Sequence, residues 1–174
     1  MEHLPEKSNF IAVANHSSFL DPLVIMAAIP KKIHCIVLRV LYRVTAISWF
    51  LQITETLPSG SSSEKVIDLL TKNENVGLFP EGRVSRDGKL REFRRGAALL
   101  AMKTGRPIVP FAILGTYEAL PRWAKFPKLF MPIKVKIGKP KFLLKETDEV
   151  IDDIYLQEGM FKIKNAIEEM LYAG

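Results

Sequence analysis

A single cysteine, Cys35, stands in the 174 residues. It has no intrachain partner for a disulfide, so a reducing compartment is the default setting. It lies in the apolar run Ile33-His34-Cys35-Ile36-Val37-Leu38, surroundings that suit a buried, inert thiol better than a nucleophile. The first dozen residues hold Glu2, Pro5 and Glu6 and lack the apolar segment of a secretory signal. A long uncharged apolar run is also missing. The most apolar stretch, residues 33–53, is broken by Arg39 and Arg43, which lie four apart and therefore on one side of a helix. That pattern suits a buried or interfacial helix with a basic stripe rather than one that crosses a bilayer. No Lys/Arg run resembles a nucleic-acid arm, and there is no internal repeat or low-complexity tract. His3 and His34 share no ligand spacing with His16, so no metal site is expected. Gly82 and Gly88 are not followed by Gly-Lys-Ser/Thr, which excludes a nucleotide-type phosphate loop.

What is present is ordinary globular composition, with 48% hydrophobic and 25% charged residues. One domain, residues 1–174, with a real core is expected. The net charge is +6 and the isoelectric point about 9.4. This favours an anionic partner: nucleic acid, an anionic bilayer or a phosphorylated substrate. The basic residues form short clusters, at Lys31-Lys32, at Arg94-Arg95 and from Lys134 to Lys141.

Apolar runs and breakers alternate along the chain. Asn9 to Ala14 reads as a buried strand, Asn15 to Leu20 as a polar loop, and Asp21-Pro22 as a capped helix start ended by Pro30. Ile33 to Leu38 reads as a strand, residues 39–50 as a helix and Leu51 to Thr54 as a short strand. After a break at residues 58–63, Glu64 to Lys72 reads as a helix and Asn75 to Phe79 as a strand. Pro80 to Phe93 is a polar, Gly- and Arg-rich loop, followed by a helix from Gly96 to Thr104 that Gly105 ends. Ile108 to Leu114 is a strand, Tyr117 to Leu120 one short turn, Met131 to Ile137 an alternating strand, and Asp148 to Tyr172 an amphipathic helix. The alternation predicts an α/β fold, a largely parallel central sheet flanked by helices.

In such sheets, sites form where strands end. His16 follows the first strand, and Asp21 opens a helix five residues later. Within one helix that spacing would turn the two side chains about 140° apart. A loop-then-helix path instead lets Asp21 fold back onto one imidazole nitrogen and leaves the other basic, able to take a proton from an attacking hydroxyl. This is the base and orienter of a serine-type triad without the serine. Taken alone, the same residues are more simply a loop histidine beside a helix cap. Ser17 and Ser18 are adjacent hydroxyls, but no Gly-x-Ser-x-Gly elbow surrounds them. The loop after the next buried strand places Arg83, Arg86, Lys89, Arg91, Arg94 and Arg95 beside acidic Glu81. Arginines in a strand-end loop suit bidentate contacts to phosphate; a solvated loop is the plainer alternative.

The ordered set Asn15-His16 to Asp21-Pro22, Phe79-Pro80-Glu81-Gly82 and Pro107-Ile108-Val109-Pro110 resembles the motifs of the lysophosphatidic acid (1-acylglycerol-3-phosphate) acyltransferase family, within the glycerolipid acyltransferases. Phe93 to Ala97 and Gly115 to Arg122 also look like its members, so the resemblance covers about residues 9–140. It implies a glycerol-3-phosphate acyltransferase-like α/β fold. It also implies transfer of a fatty acyl group from acyl-CoA or acyl carrier protein to a lysophospholipid hydroxyl in phospholipid biosynthesis. The implied general base is His16, oriented by Asp21 of the His-x4-Asp motif. Glu81, Gly82 and Arg83 fall in the block linked to acceptor binding. Arg94 stands where members carry a basic residue suited to the acceptor phosphate, with Ser85 and Gly96 in the same two blocks. No cofactor and no metal is implied beyond the thioester donor. The implied partners are that donor, the lysophospholipid and an anionic membrane surface, with no nucleic acid. The implied location is cytoplasmic, peripheral on the inner face of a membrane.

The sequence departs from the family at three places. The family often reads Phe-Pro-Glu-Gly-Thr-Arg-Ser, where this chain has Arg83-Val84-Ser85 after Gly82. Its second block usually ends in an arginine, and residues 52–56 hold none. Members usually carry an N-terminal anchor, whereas only fifteen residues precede His16 here, so the domain is expected to lack that anchor. These departures leave a different lipid acceptor, or a catalytically silent module that binds membrane or acyl carrier, as the alternatives. With no anchor in view, the cationic and aromatic residues 121–131 suit a headgroup boundary, and equally a loop packed under a strand; a helix over 39–50, with Tyr42, Trp49 and Phe50, is a second membrane candidate.

Overall fold

The computed structural model describes residues 3–6, 8–37, 52, 56–58, 63–143 and 153–173. Its strands are β1 (Ile11–Ala14), β2 (Ile33–Val37), β3 (Leu57–Pro58), β4 (Asn75–Leu78), β5 (Ile108–Leu114) and β6 (Lys134–Ile137). The helices with described bounds are α1 (Asp21–Ala28), α2 (Ser63–Thr71), α3 (Gly96–Thr104), α4 (Thr116–Ala119) and α5 (Asp153–Tyr172). The strands form one six-stranded sheet in the order β3-β2-β4-β1-β5-β6. Every pairing is parallel except that of β5 with β6.

Alternation along the central strands sends successive side chains to opposite faces. Ile11, Val13, Ile108 and Ala112 join a core with Val66 and Leu70 of α2, Ala98 and Ala101 of α3 and Ile163 and Ile167 of α5. Ala12, Ala14, Val109, Phe111 and Ile113 join a second core with Ile25 of α1 and with Ile33 and Cys35 of β2. β1 and β5 carry apolar residues at nearly every position because both of their faces are covered. Cys35 is wholly buried, and that burial pushes its thiol pKa up to about 12. It is an inert packing group, as its apolar surroundings imply.

Several boundaries differ from the sequence reading. The strand expected at 51–54 and the helix expected at 39–50 lie outside the described residues, save Gln52, which is helical. The third strand is instead the two-residue edge at Leu57–Pro58, paired with Ile36 and Val37, whose second residue begins what reads as a break. The final helix is described from Asp153; the expected start at 148 lies outside the described residues. Ile133 is exposed rather than sharing the buried side of Val135 and Ile137, because β6 begins one residue later. Asp21 is the first residue of α1, with Leu20 at the cap position and no side-chain capping bond. Its carboxylate turns back into the preceding loop rather than down onto the helix amides.

The parallel strands run so that β1, β4 and β5 all finish at one end of the sheet, as the doubly wound architecture requires. Gly115, just past β5, has φ +86°, and an added Cβ would lie 2.0 Å from the Pro132 carbonyl oxygen. Only glycine fits there. The close approach pins the chain after β5 against the chain entering β6.

Candidate active site

Three strand-end loops meet at that end of the sheet. Asn15 holds the first of them. Its side chain donates to the Ile113 carbonyl (2.9 Å) and accepts from the Ile113 amide (2.7 Å), so it acts as one more rung between β1 and β5. His16 comes next. Asp21, wholly buried, places Oδ2 2.9 Å from His16 Nδ1, and the same oxygen accepts from the backbone amides of Ser17 (2.7 Å) and Ser18 (2.8 Å). A carboxylate acceptor fixes the hydrogen on Nδ1 and leaves a lone pair on Nε2. The His16 ring is 12% exposed, and Nε2 has no hydrogen-bond partner among the described residues. Phe79 stacks on the other side of the ring, with centroids 4.3 Å apart and planes 26° from parallel.

The loop after β4 grips the backbone of His16 at both ends. Glu81 Oε1 accepts from the His16 amide at 2.7 Å, and the Ser85 amide donates to the His16 carbonyl at 2.8 Å. Glu81 is only 5% exposed, and its Oε2 is buried without a hydrogen-bond partner. Burial raises its carboxyl pKa to about 7, with the nearby Asp21 charge adding to the effect; the backbone amides of His16 and Arg91 and the Arg91 charge oppose it. The Ser85 hydroxyl is committed to Asp87 Oδ1 (3.0 Å) and to the Lys89 carbonyl (2.9 Å). The two side chains therefore face inward from the loop.

Gly82, Arg83 and Arg94 face outward. Gly82 has φ +71°, and a Cβ there would sit 2.9 Å from the Arg94 guanidinium, so the glycine is what lets Arg94 lie across the loop. The Arg94 amide is fixed by the Pro80 carbonyl at 2.9 Å. Gly96 opens α3 and is exposed. The charges of Arg91, and then of Arg86, Arg122 and Arg94, with slight burial, push the pKa of the Arg83 guanidinium down from its ordinary value. None of these five arginines forms an ion pair among the described residues. The result is a positive mouth beside an imidazole with a free nitrogen. Nothing in His16's own motif signals Arg122, which enters from the chain after β5.

Possible protein nucleophiles are tied up. Ser17 Oγ lies 3.1 Å from Thr116 Oγ1, and Ser18 Oγ donates to the Leu120 carbonyl at 2.8 Å. No group of three or more potential metal ligands occurs among the described residues.

The sequence model of the Acyltransferase family matches residues 1–114, which include β1, β4, β5 and the loops after β1 and β4. The chain belongs to the acyltransferase family. Acyltransferases resembling it include the chloroplast 1-acyl-sn-glycerol-3-phosphate acyltransferase of Arabidopsis thaliana, 29% identical over 80% of this chain and 42% of that protein. The enzyme of the same name from Limnanthes douglasii is 32% identical over 84% of this chain and 55% of that protein. That of Bacillus subtilis is 33% identical over 66% of this chain and 60% of that protein. The chain thus spans about half the length of such curated relatives. The crystal structure of the 1-acyl-sn-glycerophosphate acyltransferase PlsC from Thermotoga maritima superposes with a TM-score of 0.74 at 26% identity, over 97% of this chain and 69% of that one.

The burial of Glu81 is expected to make the stability of this fold depend on pH. The folded-state pKa of Glu81, about 7, lies above the ordinary glutamate value of 4.5, so between those values the folded chain binds more protons than the unfolded one. The corresponding stability is present below the lower value and is lost as pH rises towards the higher. A Glu81→Gln variant keeps an acceptor for the His16 amide and removes the titration. The stability of the parent relative to this variant is expected to fall by roughly 2–3 kcal/mol between pH 5 and pH 8. Denaturant unfolding at the two pH values checks this; a constant difference would refute it.

Proposed function

We propose that the protein transfers a fatty acyl group from a thioester, on coenzyme A or acyl carrier protein, to the free hydroxyl of lysophosphatidic acid or a related lysophospholipid at a membrane surface. The observation that carries this reading is the His16–Asp21 pair at 2.9 Å, beside a cluster of arginines that form no ion pair among the described residues. Relatives named for 1-acyl-sn-glycerol-3-phosphate acylation support the choice of acceptor.

His16 Nε2 takes the hydroxyl proton as the acceptor oxygen attacks the thioester carbonyl. Asp21 holds the ring in the required tautomer and stabilises the imidazolium that forms. The tetrahedral state collapses with loss of the thiolate, which takes the proton back from His16, so an ester and a thiol leave the site. Attack is direct, in keeping with the engaged hydroxyls of Ser17 and Ser18 and the buried Cys35. A thioester is already activated, and the step calls on no cofactor or metal. Arg83 and Arg94, exposed at the mouth, hold the acceptor phosphate; Gly82 leaves room for Arg94 to cross the loop, and Gly96 opens α3 directly after Arg95.

A panel of lysophospholipids and other lipid acceptors, offered with labelled acyl-CoA and acyl carrier protein, tests the reaction. Turnover that requires a phosphate-bearing acceptor is expected, and absence of turnover with every pair would overturn the proposal. In Arg94→Ala, kcat/KM for the acceptor is expected to fall by about 10–100-fold through KM, the worth of one charge-assisted contact to phosphate. An unchanged acceptor KM would remove Arg94 from this role.

A further inference from the structure

The chain between α4 and β6 does not pack as a covered loop. Trp123 is 65% exposed, Phe126 82%, Leu129 73% and Phe130 100%. Phe130 also has φ +63°, a left-handed conformation that an aromatic residue rarely adopts. A cation precedes an apolar residue three times at a spacing of three: Arg122-Trp123, Lys125-Phe126 and Lys128-Leu129. No Asp or Glu occurs in residues 121–133.

The base of this segment is fixed. The Lys128 amide donates to the Ala119 carbonyl at 2.7 Å, and the Pro132 carbonyl is pressed against Gly115. Ser17 and Ser18 bind Thr116 and the Leu120 carbonyl, so the segment stands at a set position beside His16. Tyr117 is a strut between it and the arginine loop. Its ring meets Trp123 edge-on (centroids 5.7 Å apart), lies against Gly88, and its hydroxyl donates to the Arg86 carbonyl at 3.3 Å.

We infer that residues 121–133 are a membrane-seating tip: Phe126, Leu129 and Phe130 enter the acyl boundary of an anionic bilayer while Arg122, Lys125 and Lys128 meet its headgroups. The three most exposed apolar side chains fall within five residues of one irregular segment, and the charges among them have one sign. A bilayer interface accepts both features. Because the tip stands at the same sheet end as His16, seating it turns the arginine mouth towards the surface from which a lysophospholipid arrives. The inference takes from the proposed reaction only its lipid setting, and binding is read without turnover.

Flotation with vesicles of phosphatidylcholine, alone or with phosphatidylglycerol, tests it. The parent is expected to bind the anionic vesicles in a salt-sensitive way, with a blue shift in tryptophan emission that Trp123→Phe removes. Phe126→Ser/Phe130→Ser is expected to weaken partitioning at least about tenfold on loss of its buried apolar area. Lys125→Gln/Lys128→Gln is expected to weaken it roughly 30-fold on anionic vesicles alone, at about 1 kcal/mol per basic side chain. Both variants keep the parent's melting temperature and its turnover of a dispersed, short-chain acceptor. Parent-like flotation by both variants would overturn the tip, as would a loss confined to the binding of acyl carrier protein. A His16→Ala protein that floats like the parent keeps the two ideas separable: failure of acyl transfer then counts against the reaction alone.

Discussion

Acyl transfer is expected to fall by about 10²–10⁴-fold in a His16→Ala protein, the range lost when a positioned general base is removed. The fold survives, because what the structure asks of residue 16 lies mostly in its backbone. Its amide bonds to Glu81 and its carbonyl to the Ser85 amide, and both persist in alanine. The side chain contributes the stack on Phe79 and the bond to Asp21. Single-turnover kinetics with a saturating thioester, beside a thermal melt, separate the two effects. Near-parental turnover in a folded variant would remove His16 from the proton path.

Asp21→Asn is expected to cost about 10²–10³-fold in kcat with little change in either substrate's KM. Asparagine keeps an oxygen for the amides of Ser17 and Ser18, so the loop is retained. What disappears is the negative charge beside an imidazole that, in the proposed reaction, becomes cationic as the hydroxyl loses its proton. Asp21→Ala goes further. It leaves two buried amides without an acceptor and is expected to lower stability by about 2–4 kcal/mol as well. The double variant His16→Ala/Asp21→Asn should be no slower than His16→Ala, because the two groups act as a unit. Additive losses would mean that Asp21 works by some other route.

Much of this was legible in the residues, for identifiable reasons. Strand ends and the small-residue helix α3 follow from apolar periodicity and from Gly105, which takes φ +66° where the helix stops. The partnership of His16 with Asp21 was legible only from the company of other motifs, because Asp21-Pro22 carries the same signature as a cap. In the structure that carboxylate turns away from the helix it begins, a choice made by three donors in the loop before it. Glu81 shows a limit of another kind. Its place in a polar, arginine-rich loop suggests contact with substrate, whereas its side chain is buried against the His16 backbone. Long-range partners of this sort, like Asn15 with Ile113 and Ser17 with Thr116, join positions almost a hundred residues apart and leave no local pattern. The two-residue β3 has no sequence signal of its own, because proline and serine dominate the residues that follow and its pairing with β2 is tertiary.

The direction of one edge strand has a consequence for the chain before it. Parallel neighbours oblige the polypeptide to travel back along the sheet, and that return journey is what makes crossover helices cover its faces. β6 runs against β5, pairing Leu114 with Lys134 at the very end where β5 finishes. The stretch between them begins and ends at the same rim and owes nothing to roofing the sheet. Freed from that duty, it can carry aromatic side chains that the interior would otherwise claim.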